Sequence, residues 1–139
     1  MINKNSDQIK ALVLQGISLL NKGKFFDAHE TLEIAWRLEK APIRALYQGL
    51  IQFSVAYYHA DRSNWVGAMR VLQRSRKNLT PFIHADSMID LADVILQIDS
   101  LDENIKRIIK SNVLDQELVV SPHVKLKSGE AQEFIPGSG

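Results

Sequence analysis

Apolar residues recur every three to four positions along most of this chain, and the rhythm predicts five helices. Ile9, Leu12, Val13, Ile17 and Leu20 mark a first helix over about residues 6–21, capped by Ser6 or Asp7 and stopped at Gly23. A second runs over about residues 25–38. The gap between them is so short that the two must form an antiparallel hairpin. The third spans about residues 42–60, with Pro42 in its first turn. Leu46, Leu50, Phe53 and Tyr57 make one apolar stripe on it, and Ile51 and Val55 lie towards another. A helix apolar on most of its surface is predicted to be central. Gly49 and Ala56 leave room for a close neighbour.

Asp61-Arg62-Ser63-Asn64 reads as a turn and cap. A fourth helix over about residues 65–79 buries Trp65, Ala68, Met69 and Leu72, and Thr80-Pro81 ends it. The fifth starts from a cap at Asp86 or Ser87 and reaches about residue 110, with a break or kink expected at Asp99-Ser100. Beyond it, residues 117–120 and 124–126 are expected to lie extended against the helices. Gly129 and residues 136–139 read as a frayed tail. The pattern predicts an all-α fold: a compact bundle of about five helices built from two antiparallel helical hairpins, with an irregular C-terminal tail. One domain over residues 1–127 and a flexible tail over 128–139 follow from it.

A weak repeat runs through the pattern. Phe25, Ala28 and Leu32 return as Trp65, Ala68 and Leu72 at a constant offset of 40 residues. This resembles a tetratricopeptide hairpin, but that repeat has a period of about 34 residues and needs at least three copies. Two hairpins in a bundle, not a solenoid, are expected.

Composition narrows the function classes. A chain of 139 residues, 45% hydrophobic and 24% charged, has the make-up of a soluble globular protein with a real core. A net charge of +1 gives no overall bias towards nucleic acid or membranes. Arg70, Arg74 and Lys77, with Arg76 alongside, read as a solvated face. With no cysteine, disulfides, thiolate metal sites and a cysteine nucleophile are excluded. Neither a signal peptide nor an apolar run of about 20 residues is present, so a cytoplasmic location is the expectation.

The candidate chemistry lies in Phe25-Phe26-Asp27-Ala28-His29-Glu30-Thr31-Leu32-Glu33-Ile34-Ala35-Trp36. At about 100° per residue, Phe25, His29, Leu32, Glu33 and Trp36 fall on one face, with Ala28 and Ala35 at its edge. An imidazole and a carboxylate on an apolar face need partners. The first reading is a packing network in which Glu33 accepts from His29 or from the Trp36 indole. The second is a ligand or metal site, since His29 and Glu33 at i, i+4 can hold one ion, with His59 as a third ligand and Gln48 or Gln52 behind. The third is acid–base catalysis by the same pair. No stoichiometric metal and no cofactor are expected, because three ligands do not converge by spacing alone. His84 and His123 are isolated, and no serine has an evident base.

His29, Glu33 and Trp36 form the pattern H-x-x-x-E-x-x-W. With the blocks Leu46-Tyr47-Gln48-Gly49-Leu50-Ile51-Gln52 through His59 and Asn64-Trp65-Val66-Gly67-Ala68, it resembles the bacterial domain-of-unknown-function family numbered three hundred and nine. The likeness spans about residues 12–79. It implies an all-helical domain and no particular activity. The leading expectation is a small domain that binds a small molecule or a protein partner in a cleft between the second and third helices. His29, Glu33 and Trp36 would line or brace that cleft, with Gln52 and His59 opposite. The alternatives are a metal-dependent, hydrolase-like enzyme using His29, Glu33 and His59, and a tetratricopeptide-like interaction module. Nucleic-acid and membrane partners are not expected, and the oligomeric state stays open.

Overall fold

The computed structural model describes residues 4–85, 87–111 and 118–127. The cap expected of Asp86, Glu117 at the head of the 117–120 stretch and the tail over 128–139 lie outside them; of the rest of that stretch, Val119 packs against the core and Val120 is exposed. The helices are α1 Lys4–Asn21, α2 Phe25–Leu38, α3 Arg44–Asp61, α4 Trp65–Leu79 and α5 Leu91–Ser111, with a 3₁₀ turn at Thr80–Phe82 after α4. Each helix packs on the next in chain order. The fold is all-α, and among the described residues pairing of the strand type is limited to one antiparallel bridge between Ile89 and Leu126.

Four local expectations are corrected. Ser6 and Asp7 do not cap α1. They lie inside its opening turns, where Asp7 faces the positive end of the helix dipole. Pro42 precedes α3 instead of opening it: Ala41, Pro42 and Ile43 offer their carbonyls to Arg44, Ala45 and Leu46 in a tight lead-in at 3.1, 3.1 and 2.9 Å. Ser87 does not cap α5. Its hydroxyl takes the Ile89 amide at 3.2 Å and holds a turn, and the cap is Asp90, whose carboxylate accepts from the Asp93 amide at 3.2 Å. Finally, α5 runs unbroken through Asp99-Ser100, with buried residues from Leu91 to Ile108 along it.

The repeat is visible in the backbone. Gly23 has φ 79° and Ser63 has φ 57°, and the residues after them, Lys24 and Asn64, have ψ 70° and 75°. The turn bonds also match across the offset: Lys24 and Asn64 donate to the Leu19 and His59 carbonyls at 2.9 and 2.8 Å. A left-handed residue at this place reverses the chain within one turn, which glycine does without steric cost. Both hairpins then close against a small residue. A Cβ on Gly16 would come within 2.5 Å of Leu32, and one on Gly49 within 2.6 Å of Leu79. The Ser75 hydroxyl reaches the Gly49 carbonyl at 2.7 Å across the same seam. The central helix is α3, with Leu46, Leu50, Phe53 and Ala56 fully buried. Each large apolar side chain there contributes roughly 1.5–3 kcal/mol. The basic face of α4 is solvated at Arg70, Arg74 and Lys77, while Arg76 reaches across to Asp99 of α5 at 2.8 Å.

Two outcomes follow. Gly49→Val inserts bulk where α4 already touches, so it should lower stability by about 1–3 kcal/mol, read from the urea midpoint. Tyr47 is buried and bonded to Glu39, and burial first, then that carboxylate, push its hydroxyl up to about 12 from 10.0. The native state therefore keeps a proton that the unfolded chain releases, and stability is fully present below pH 10 and falls as pH rises towards 12. Tyr47→Phe should lessen the drop in urea midpoint between about pH 9 and pH 11; an equal drop in both proteins would exclude Tyr47 as its source.

Candidate functional site

The buried face of α2 is Phe25, Ala28, Leu32 and Ala35. The expectation that the alanines flank a stripe centred on His29, Glu33 and Trp36 is thus turned round. Alanines occupy the centre because two helices approach there, and the polar residues occupy the rim, where water still reaches them. The side chains of His29 and Glu33 are 27% and 31% exposed, so this pair is half-buried, not enclosed.

The three signature residues divide between two places. His29 Nε2 lies 2.8 Å from Glu33 Oε2, and the other carboxylate oxygen accepts from Arg37 at 2.5 Å. Glu33 is thus engaged from both sides, by Arg37 and not by the Trp36 indole. Trp36 sits further along, under the Arg44 guanidinium, 4.2 Å from the ring centre. Arg44 also donates to the Trp36 carbonyl, at 3.4 Å from each of two nitrogens. Trp36 therefore ties the end of α2 to the start of α3. Arg37 was legible as an i, i+4 partner of Glu33. Arg44 was not, since its contact crosses a turn.

Between α2 and α3 lies a cleft of about 180 Å³, lined by Phe25, Phe26, His29, Val55, Tyr58 and His59. Phe26 is 52% exposed, and its ring is 5.6 Å from His29 and 5.9 Å from Tyr58. Arg62 covers Tyr58 at 4.8 Å. The structure brings His29 and His59 to one cleft. It does not bring Gln48, which is exposed, or Gln52, which accepts from Asn78 of α4 at 2.7 Å. Phe26, Val55 and Tyr58 were missed because each lies off the main apolar stripe. The signal for Phe26 was an aromatic three residues before His29.

The hydrogen bonds fix what each neutral imidazole offers. Asn64 accepts the Gly67 amide through Oδ1 at 3.2 Å, so its Nδ2 faces His59 Nδ1, at 3.1 Å. An amide nitrogen only donates, so His59 Nδ1 accepts and its proton sits on Nε2. His29 donates Nε2–H to Glu33, which leaves Nδ1 as its acceptor. His29 and His59 both line the cleft, and these bonds leave Nδ1 of the one and Nε2–H of the other unengaged. The third ligand that a metal site needs is not supplied: no group of three His, Asp or Glu among the described residues could hold an ion.

No helix among the described residues is long and apolar enough to cross a membrane. No curated protein and no solved structure matches the chain. A family model does match, over residues 13–71, the stretch that carries both hairpin turns and the whole α2/α3 cleft. Over these residues the chain is similar to the family described as Domain of unknown function (DUF309).

Proposed function

We propose that this domain is a binding module whose α2/α3 cleft takes a small ring or ring-bearing side chain with one hydrogen-bond donor and one acceptor. A tyrosine-like group on a protein partner, or a phenolic small molecule, has that chemistry. The observation that carries the reading is the complementary imidazole pair: His29 with Nδ1 left to accept, His59 with Nε2–H left to donate. Apolar walls supply the affinity and the two nitrogens supply orientation, the division usual in small-molecule sites. The volume suits a single ring, since a dry cavity of about 150 Å³ holds benzene.

Glu33 is the brace of this reading. It fixes the His29 tautomer, as an outer carboxylate does for many working histidines. Arg37 bonds the far oxygen. Trp36 and Arg44 set the spacing of the two helices from the other end. Being half-exposed, the Glu33 pairs add little to stability, on the order of 1 kcal/mol or less.

Phenol titrated into ¹⁵N-histidine-labelled protein should shift the side-chain resonances of His29 and His59 and leave His84 and His123 unmoved. Val55→Trp fills the cleft and should abolish the shifts. His29→Phe removes one hydrogen bond and should weaken binding about fivefold. Uniform small shifts at all four histidines would contradict a defined site. Separately, Glu33→Gln should change the urea midpoint by no more than the equivalent of about 1 kcal/mol, yet weaken phenol binding as far as His29→Phe does. A large loss of stability would show that Glu33 acts in packing instead.

A further inference from the structure

Residues 118–127 lie against the helices on a different face from the α2/α3 cleft. Their burial alternates with the period of an extended strand: Pro122 and Val124 are buried and Leu126 is half-buried, while Ser121, His123, Lys125 and Lys127 are exposed. Their main chain is gripped by side-chain amides from two helices. Asn21, the last residue of α1, donates to the Val124 carbonyl at 3.1 Å and accepts its amide at 2.7 Å. Gln97 of α5 does the same to His123, at 2.6 and 3.0 Å. One α5 face further on, Asn104 donates to the Leu118 carbonyl at 2.9 Å.

This is the grammar of peptide recognition. Main-chain hydrogen bonds hold any extended chain, and pockets for alternate side chains set the preference. The groove is also wider than its occupant. A space of about 140 Å³ remains beside Val120, which is 70% exposed, and a larger one of about 580 Å³ remains between α1 and residues 123–126. Each helix is packed on its successor, and Val124 of the segment adds its side chain to the core they share. Lys125 lies 3.8 Å from Asp93, so the groove has an acid for a basic residue between the apolar positions.

We propose that the groove between α1 and α5 binds an extended segment of a protein partner, with apolar residues at three alternate positions and a basic residue between the last two of them. Residues 118–127 are its built-in occupant, which that segment displaces. The side-chain amides of Asn21 and Gln97 read the main chain, and the places of Pro122, Val124 and Leu126 read the side chains. The inference stands apart from the α2/α3 cleft and shares no residue with it.

The test uses the full chain and a fluorescein-labelled peptide of residues 118–127. Val124→Glu ejects the resident segment, and the peptide should then bind at least tenfold more tightly than to the unmodified chain. Adding Gln97→Ala should weaken it at least tenfold, and a peptide carrying the same glutamate should not bind. In the unmodified chain, the amides of His123, Val124 and Lys127 should exchange with solvent at least a hundredfold faster than those at the centre of α3. Four results would overturn the proposal. They are loss of helical circular dichroism in Val124→Glu, no binding to a helical Val124→Glu chain, exchange of the three amides at the α3 rate, and a dimer of the unmodified chain with the segment swapped between copies.

Discussion

The structure depends on leucines seated over glycines. Leu32 of α2 lies where a side chain on Gly16 would be, and Leu79 of α4 lies where one on Gly49 would be. Each contact draws a hairpin to backbone distance, and the buried Ser75–Gly49 bond is possible only at that distance. Interiors are packed to crystal density, so such a seat does not stretch to fit. The seam between α2 and α3 is packed by contacts of its own. At the α2 N-terminus and the α3 C-terminus that seam is left partly open, and there it forms the cleft.

The signature residues make sense within this frame as parts with different work. Trp36 and Arg44 close the seam at one end by stacking and by bonds to the Trp36 carbonyl. His29 stands at the open end. Glu33 lies between them, bonded to the imidazole and still reached by water. The same economy appears on the groove face. Asn21 and Gln97 are neutral amides, which bind a main chain without the desolvation that charged groups would demand.

Much of this was legible in the sequence where periodicity governs. The bounds of α4, the central place of α3 and the offset of 40 residues between the hairpins came from apolar spacing and turn residues. The structure extends that repeat to the backbone, with a left-handed residue at both Gly23 and Ser63. The legible part ended where size outweighs polarity. A helical wheel ranks residues by hydrophobicity and puts Trp36 at the centre of α2. Close packing ranks them by bulk and puts Ala28 and Ala35 there. Gln52 was assigned to the wrong neighbour because a wheel gives a direction but not which helix lies in it. The start of α5 was misplaced because Ile89, apolar and in helical register, is instead held in a bridge to Leu126, a contact across 37 positions that local pattern cannot show.

The central claim is that the cleft presents one accepting and one donating imidazole, set by Glu33 and by Asn64. Long-range ¹H–¹⁵N correlation of the histidine side chains, at about pH 9 where imidazole is neutral, reads the tautomers directly. The account predicts a proton on Nε2 in both His29 and His59, with His29 losing that preference in Glu33→Gln and His59 losing it in Asn64→Ala. A proton on Nδ1 of His59, or tautomers in both rings indifferent to these two substitutions, would contradict it.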